Sequence, residues 1–234
     1  MRRLVLGLDA LARLRDVTGG PALPAAAALA ALAGADAVRL GLAEELQSVS
    51  ERDLREVAAT GAVLELRMAP IPSLVKAALE ARPARVVLAS STSGAALPLD
   101  FRAWGTALAP AMRTLAEAGL PTLALVGPDL SHVKAAHAVG ARGVELYTGG
   151  LIDLPQAERV EALARLGDAA RLAAKLRLEV GLGGRLDEHS IAAVIEAAPI
   201  ATSITVGRAF VTRAALVGID RAARDLRERA QARG

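Results

Sequence analysis

The hydrophobic and polar positions repeat one pattern from end to end. Ala- and Leu-rich stretches at helical spacing end in a Gly or Pro break, and four to six residues dominated by Val, Leu and Ile follow. The short apolar runs fall at 4–8, 37–40, 63–68, 85–88, 122–126, 143–147, 177–180 and 203–206, eight in all. The intervening pattern predicts helices over 24–33, 50–59, 71–80, 102–118, 129–138, 155–174 and 188–197, with a last one from 209 towards 230. Ser50 ahead of Glu51-Arg52-Asp53, and Asp129 ahead of Leu130-Ser131-His132, have the chemistry of helix caps.

Strands alternating with helices make right-handed βαβ units and a parallel sheet. Eight such units in 234 residues predict a (β/α)8 barrel, the TIM-barrel form of the α/β class, as one domain over 1–234. A doubly wound sheet is the alternative. It would carry Gly-x-Gly-x-x-Gly after the first strand, where this chain has Leu8-Asp9-Ala10-Leu11. The irregular stretch 89–99, Ala-Ser-Ser-Thr-Ser-Gly-Ala-Ala-Leu-Pro-Leu, is expected to be a loop over an active site.

Helix-facing positions of a barrel strand must be apolar, which fixes the other parity inward. Leu64, Leu66 and Met68 face the helices, so Val63, Glu65 and Arg67 face the lumen. The same rule turns inward Val5, Gly7 and Asp9, then Arg39 with Gly41, Glu145 with Tyr147, and Arg177 with Glu179. The lumen is therefore expected to be charged, either as a filling ion-pair network or as a charged binding site. Asp9, Arg67 and Tyr147 lie at C-terminal strand ends, where barrel sites are built, while Arg177 begins its strand and reads as structural.

Composition narrows the chemistry. The 234 residues contain no Cys, only His132, His137 and His189, and only Lys76, Lys134 and Lys175. Thiol chemistry is excluded, and no metal site and no cofactor is expected. No Lys falls at a strand end, so a Schiff base is disfavoured. His137 and His189 are placed on helices, and only His132 comes near the rim. Acid–base work would fall to carboxylates such as Asp9 and Glu145, or to Tyr147. The net charge is +3 with 28 basic against 25 acidic residues, but the signs are interleaved and aromatics make up 2%, which argues against nucleic acid. The apolar stretch 21–35 is too short to span a membrane, and no signal segment is evident, so a cytoplasmic protein is expected.

Glycines mark a candidate anion site. Thr148, Gly149 and Gly150 follow strand six, Gly181 to Gly184 follow strand seven, and Gly207 with Arg208 follows strand eight and opens a helix. Backbone N–H groups of such loops cradle phosphate in this fold.

At these residues the chain resembles the pyridoxine 5′-phosphate synthase (PdxJ) family. The likeness rests on Leu6-Gly7-Leu8-Asp9 with Leu14-Arg15, Ala33-Gly34-Ala35-Asp36, Ser50-Glu51-Arg52-Asp53, Val144-Glu145-Leu146-Tyr147-Thr148-Gly149, Gly181 with Gly183, and Val206-Gly207-Arg208-Ala209. It implies a homo-oligomeric barrel that condenses 1-deoxyxylulose 5-phosphate with 3-amino-2-oxopropyl phosphate. A phosphorylated ligand is expected at Arg15, Arg67, Thr148, Gly149, Gly181, Gly183 and Gly184, with Thr202, Ser203, Gly207 and Arg208. The departures fall on chemistry. The family's Asn-Ile-Asp-His opening keeps only Asp9, its strand-two His corresponds to Gly41, and the basic and His residues that follow correspond to Ala43, Leu46 and Ser48. Its strand-three Glu corresponds to Arg67. Its Gly-His-Gly becomes Gly181-Leu182-Gly183, and its last Gly-His becomes Thr202-Ser203.

Two expectations follow: a non-catalytic homologue that keeps the fold for binding or assembly, or an enzyme, the same synthase with relocated acid–base groups or another condensation. An Arg67 buried beside Glu65 or Glu145 would be a structural pair; in an enzyme it should face an open cavity.

Overall fold

The computed structural model describes residues 1–44, 48–90, 97–151 and 153–231. Its strands are β1 (Arg3–Gly7), β2 (Ala37–Gly41), β3 (Leu64–Met68), β4 (Arg85–Leu88), β5 (Thr122–Val126), β6 (Gly143–Tyr147), β7 (Glu179–Gly183) and β8 (Ser203–Val206). They close in sequence order into a barrel, every neighbouring pair parallel. The (β/α)8 expectation holds.

The outer ring is α2 (Leu23–Leu32), α3 (Glu51–Ala58), α4 (Pro72–Ala81), α5 (Gly105–Glu117), α6 (Leu130–Ala138), α7 (Gln156–Lys175), α8 (Ile191–Ala197) and α10 (Ile219–Gln231). The last of these packs on both α8 and α2 and closes the ring. Two further helices, α1 (Asp9–Thr18) and α9 (Arg208–Val217), start at the C-terminal ends of β1 and β8 and touch each other. Leu4, Leu6, Leu40, Leu66, Leu88, Leu146 and Val206 are fully buried between sheet and helices. Each such side chain contributes roughly 1.5–3 kcal/mol of apolar burial. No described helix is long and apolar enough to cross a membrane.

Several expectations are corrected. Helix α1 was not foreseen because its N-cap is Leu8, which makes no side-chain cap, so the usual start signal is missing. The last predicted helix is two, α9 and α10, parted at Gly218, whose φ of 84° does not continue a helix. Arg177 is exposed and outside any strand, in a left-handed turn before β7. His189 lies in the turn ahead of α8 rather than on a helix. Gly181 and Gly183 are part of β7 itself, not of the loop after it. The lumen is not charged throughout: Val87, Ala89, Leu123 and Leu125, on and just after β4 and β5, form a separate apolar cluster that Tyr147 packs against. Of the expected loop 89–99, residues 91–96 lie outside the described residues; Ser90 and Leu97 bridge across them.

Candidate active site at the barrel mouth

The parallel register sets neighbouring inward residues at nearly one height. Arg39 lies beside Glu65, and two residues further along Gly41 lies beside Arg67. Two residues of strand rise about 6.6 Å, so the two pairs belong to different layers.

The lower layer is a closed ion-pair network. Glu65, wholly buried, accepts from Arg39 Nη2 at 2.8 Å and Nε at 3.3 Å, and from Arg3 Nη2 at 3.2 Å. The same Arg39 guanidinium donates to both Glu145 oxygens, at 2.8 and 2.7 Å, and the Thr205 hydroxyl donates to Glu145 Oε2 at 3.1 Å. Burial works against the Arg39 charge, but the two carboxylates outweigh it and hold the guanidinium protonated. Burial likewise pushes Glu65 up, yet the charge and hydrogen bonds of Arg39, helped by Arg85 and Arg3, bring it below the ordinary carboxylate range. At the foot of the barrel Glu179 accepts from Arg85 at 2.6 Å and Arg142 at 3.1 Å.

Above this layer opens a cavity of about 440 Å³, lined by Gly7, Asp9, Ala10, Arg13, Arg39, Arg67, Leu97, Glu145, Tyr147, Gly184, Arg185, Thr205, Gly207 and Arg208. Asp9 begins α1 at its edge. Its Oδ1 accepts from the Gly41 N–H at 2.6 Å and its Oδ2 pairs with Arg67 Nη2 at 3.2 Å. A Cβ at Gly41 would come within 2.5 Å of Arg67 Nη2, so the guanidinium occupies the space that a side chain at position 41 would need. Arg67 therefore faces an open cavity and pairs with Asp9, not with Glu65 or Glu145.

Arg208 opens α9 and Gly207 is its N-cap, so the positive end of that helix faces the cavity. Arg13, one turn along α1 from Asp9, and Arg208 have no carboxylate partner among the described residues. Arg185 follows β7 with a φ of 56°, pairs with Asp153 and reaches the Gly149 carbonyl. Tyr147 lines the wall, against Gly149 and Gly184.

Other expected site residues lie elsewhere. Arg15 is outside the cavity lining: its guanidinium is bound to Asp53 and donates to the Ser48 carbonyl at 2.6 Å, tying α1 to the segment before α3. Thr148 turns inward to the chain itself, its N–H donating to the Gly183 carbonyl at 2.7 Å and its hydroxyl to that of Gly184 at 2.6 Å. Gly181 lies beneath the mouth and Gly183 level with Tyr147 and Thr205, and a Cβ on Gly183 would overlap the Glu145 carboxylate. Their lack of side chains makes room for Glu145 and Ser203. Thr202 and Ser203 stand at the start of β8, at the opposite end from the mouth. The Thr202 hydroxyl donates to the Val180 carbonyl at 3.1 Å, and Ser203 is buried in the lumen's lower part. Leu46 lies outside the described residues. His132 stacks on Phe101, with ring centroids 6.2 Å apart, and no imidazole lines the cavity.

The sequence reasoning missed Arg13, Arg185 and Thr205. Spacing could have found each: Arg13 is four residues from Asp9 once α1 is recognised, Arg185 ends the Gly-Leu-Gly-Gly run, and Thr205 has the inward parity of β8.

A family model described as "Pyridoxal phosphate biosynthesis protein PdxJ" matches residues 4–232. A pyridoxine 5′-phosphate synthase of Desulfatibacillum aliphaticivorans is 34% identical over 237 residues, covering 97% of each chain. That of Geobacter metallireducens is 34% identical over 236 residues, again covering 97% of each. Among solved structures, tryptophan synthase of Mycobacterium tuberculosis superposes with a TM-score of 0.68 at 17% identity, over 99% of this chain and 93% of that one. Thiamine phosphate pyrophosphorylase of Pyrococcus furiosus gives 0.60 at 16% identity, over 98% and 95%. These last two share the barrel only. Near-complete coverage by the family model and by relatives of this identity leads to one conclusion: the chain belongs to the PdxJ family of pyridoxal phosphate biosynthesis proteins.

Proposed function

We propose that this chain binds a small phosphorylated molecule at the barrel mouth and does not carry out the condensation named for its relatives. The phosphate lies against Gly207 and the N-terminus of α9, with Arg208 and Arg13 as counter-charges. One observation carries the non-catalytic part: the space beside Gly41, where the family resemblance places a His, is taken by the Arg67 guanidinium. The replacements at 41 and 67 fit each other. The remaining carboxylates of the cavity, Asp9 and Glu145, are held by Arg67 and Arg39. Proton transfers in a condensation need a group able to exchange its proton near the reacting atoms, and a cavity without imidazole whose carboxylates are committed to guanidiniums supplies it poorly.

The second reading, an active condensing enzyme, draws on one observation of its own. Arg67 faces the open cavity, where it could hold a substrate anion, with Asp9 and Tyr147 beside it.

Two measurements decide. Inorganic phosphate or pyridoxine 5′-phosphate at millimolar concentration should raise the Tm, and Arg208→Ala should abolish the rise; no shift for the unmodified protein would defeat the anion site. Incubation with 1-deoxyxylulose 5-phosphate and 3-amino-2-oxopropyl phosphate should give no pyridoxine 5′-phosphate. Turnover comparable with that of a relative would establish the enzyme instead.

A further inference from the structure

Arg67 and Gly41 stand side by side at one height on neighbouring strands, and Val87 is level with Arg67 on the other side, on β4. The Arg67 side chain borders the open cavity yet is only 12% exposed, so the barrel wall encloses most of it.

Around its guanidinium the fit is close. The point where a Cβ on Gly41 would stand lies 2.5 Å from Arg67 Nη2, 3.1 Å from its Cζ and 3.0 Å from Asp9 Oδ1. Glycine at 41 therefore leaves a slot beside the carboxylate, and the guanidinium fills it. The Gly41 N–H fixes the carboxylate by donating to Oδ1 at 2.6 Å, while Oδ2 takes the cation at 3.2 Å. Glu145, the other carboxylate of the cavity lining, is taken by Arg39 and Thr205. Arg13, Arg185 and Arg208 also line the cavity and repel a further cation, so among the described residues a positive group finds its favourable contact at Asp9.

We infer that Asp9 and the slot beside Gly41 form a site for a guanidinium or ammonium group, and that Arg67 is its built-in occupant, closing this part of the mouth to amine-bearing ligands. The site needs neither Arg208 nor the start of α9, so it stands or falls apart from the phosphate site proposed above.

Removing the occupant should open the site. Arg67→Ala deletes the atoms from Cγ outward, and N-ethylguanidinium is their equivalent free in solution. It can enter through the cavity that Arg67 already borders. N-ethylurea has the same outline without the charge. Calorimetric titration of the full-length variant should show saturable binding of ethylguanidinium, about tenfold or more tighter than that of ethylurea, because the hydrogen bonds to Asp9 are charge-assisted. The unmodified protein should bind ethylguanidinium at least about tenfold more weakly than the variant does. On the Arg67→Ala background, Asp9→Asn should abolish the preference for the cation, and Gly41→Ala, whose Cβ enters the slot, should weaken its binding.

Equal binding of the two solutes means that the slot selects shape alone and overturns the inference. So does ethylguanidinium binding that is as tight in the unmodified protein, or that survives either second substitution. A folded Arg67→Ala protein that binds neither solute overturns it as well. If that variant is unfolded alone, ethylguanidinium should restore its far-UV circular dichroism by mass action and ethylurea should not; no recovery is again fatal to the site.

Discussion

The lower lumen and the mouth use the same residue type for opposite ends. Arg39 and Arg67 stand on adjacent strands, one layer apart, and both are paired with carboxylates. Below, Arg39 sits between Glu65 and Glu145, out of contact with bulk water, and charge cancels within the protein. Above, Asp9 answers Arg67, while Arg13 and Arg208 have no carboxylate partner among the described residues and the space between them is open. One strand step therefore separates a guanidinium that fills the barrel from one that borders an open cavity. The type of residue does not distinguish an arginine that fills the lumen from one at the open mouth; its layer and its partners do.

The sharpest way to break that comparison is Arg39→Met. It leaves Glu65 and Glu145 buried without their main partner, which costs about 3–5 kcal/mol and should appear as a large fall in the urea midpoint. Changing all three residues at once to apolar ones of similar volume should recover most of the loss, because the desolvation of the charges goes with them. The loss should also depend on pH. In the unmodified protein Glu65 is held below its unfolded value, so its contribution is complete above about pH 4.3 and is lost as pH falls through the lower folded value. Without Arg39, burial dominates and raises Glu65, so the variant suffers most at neutral pH and least where the carboxyl is protonated. The stability gap should narrow on acidification from about pH 7 towards 4. A constant gap would mean that Arg39 acts by packing and not by charge.

The mouth should respond the other way. Arg208 is exposed and makes no ion pair among the described residues, so Arg208→Ala should change stability by no more than about 0.5 kcal/mol while removing the phosphate-dependent rise in Tm. A large loss of stability would place Arg208 with the structural set.

The barrel was legible because eight apolar runs alternate with helical stretches, and the inward parity of Arg39, Glu65, Arg67, Glu145 and Tyr147 followed from one rule applied strand by strand. The parts that were not legible have physical reasons. Helix α1 begins without a side-chain cap, so the element that brings Asp9 and Arg13 to the mouth gave no start signal. Gly181 and Gly183 looked like a phosphate cradle because glycine in a loop and glycine making room for a buried carboxylate are the same letter. Pairing across the lumen joins residues 106 positions apart, as in Arg39 with Glu145, and no local pattern specifies which of several carboxylates an Arg will meet.

Arg15 gives the finest test of the division. It belongs to the motif by which the chain resembles its family, yet its guanidinium ties α1 to Asp53, which also caps α3 by accepting from the Ser50 N–H at 2.8 Å. Burial alone would raise Asp53, but Arg15 and Ser50 outweigh it and hold the carboxyl below its ordinary range. The pair is partly exposed, so solvent screening limits its worth, and Arg15→Ala should cost only about 1 kcal/mol in chemical denaturation. The same variant should keep the full phosphate-dependent rise in Tm that Arg208→Ala abolishes. A rise lost in both variants would move Arg15 from the clamp to the anion site, and the cavity would then have to extend along α1 beyond Arg13.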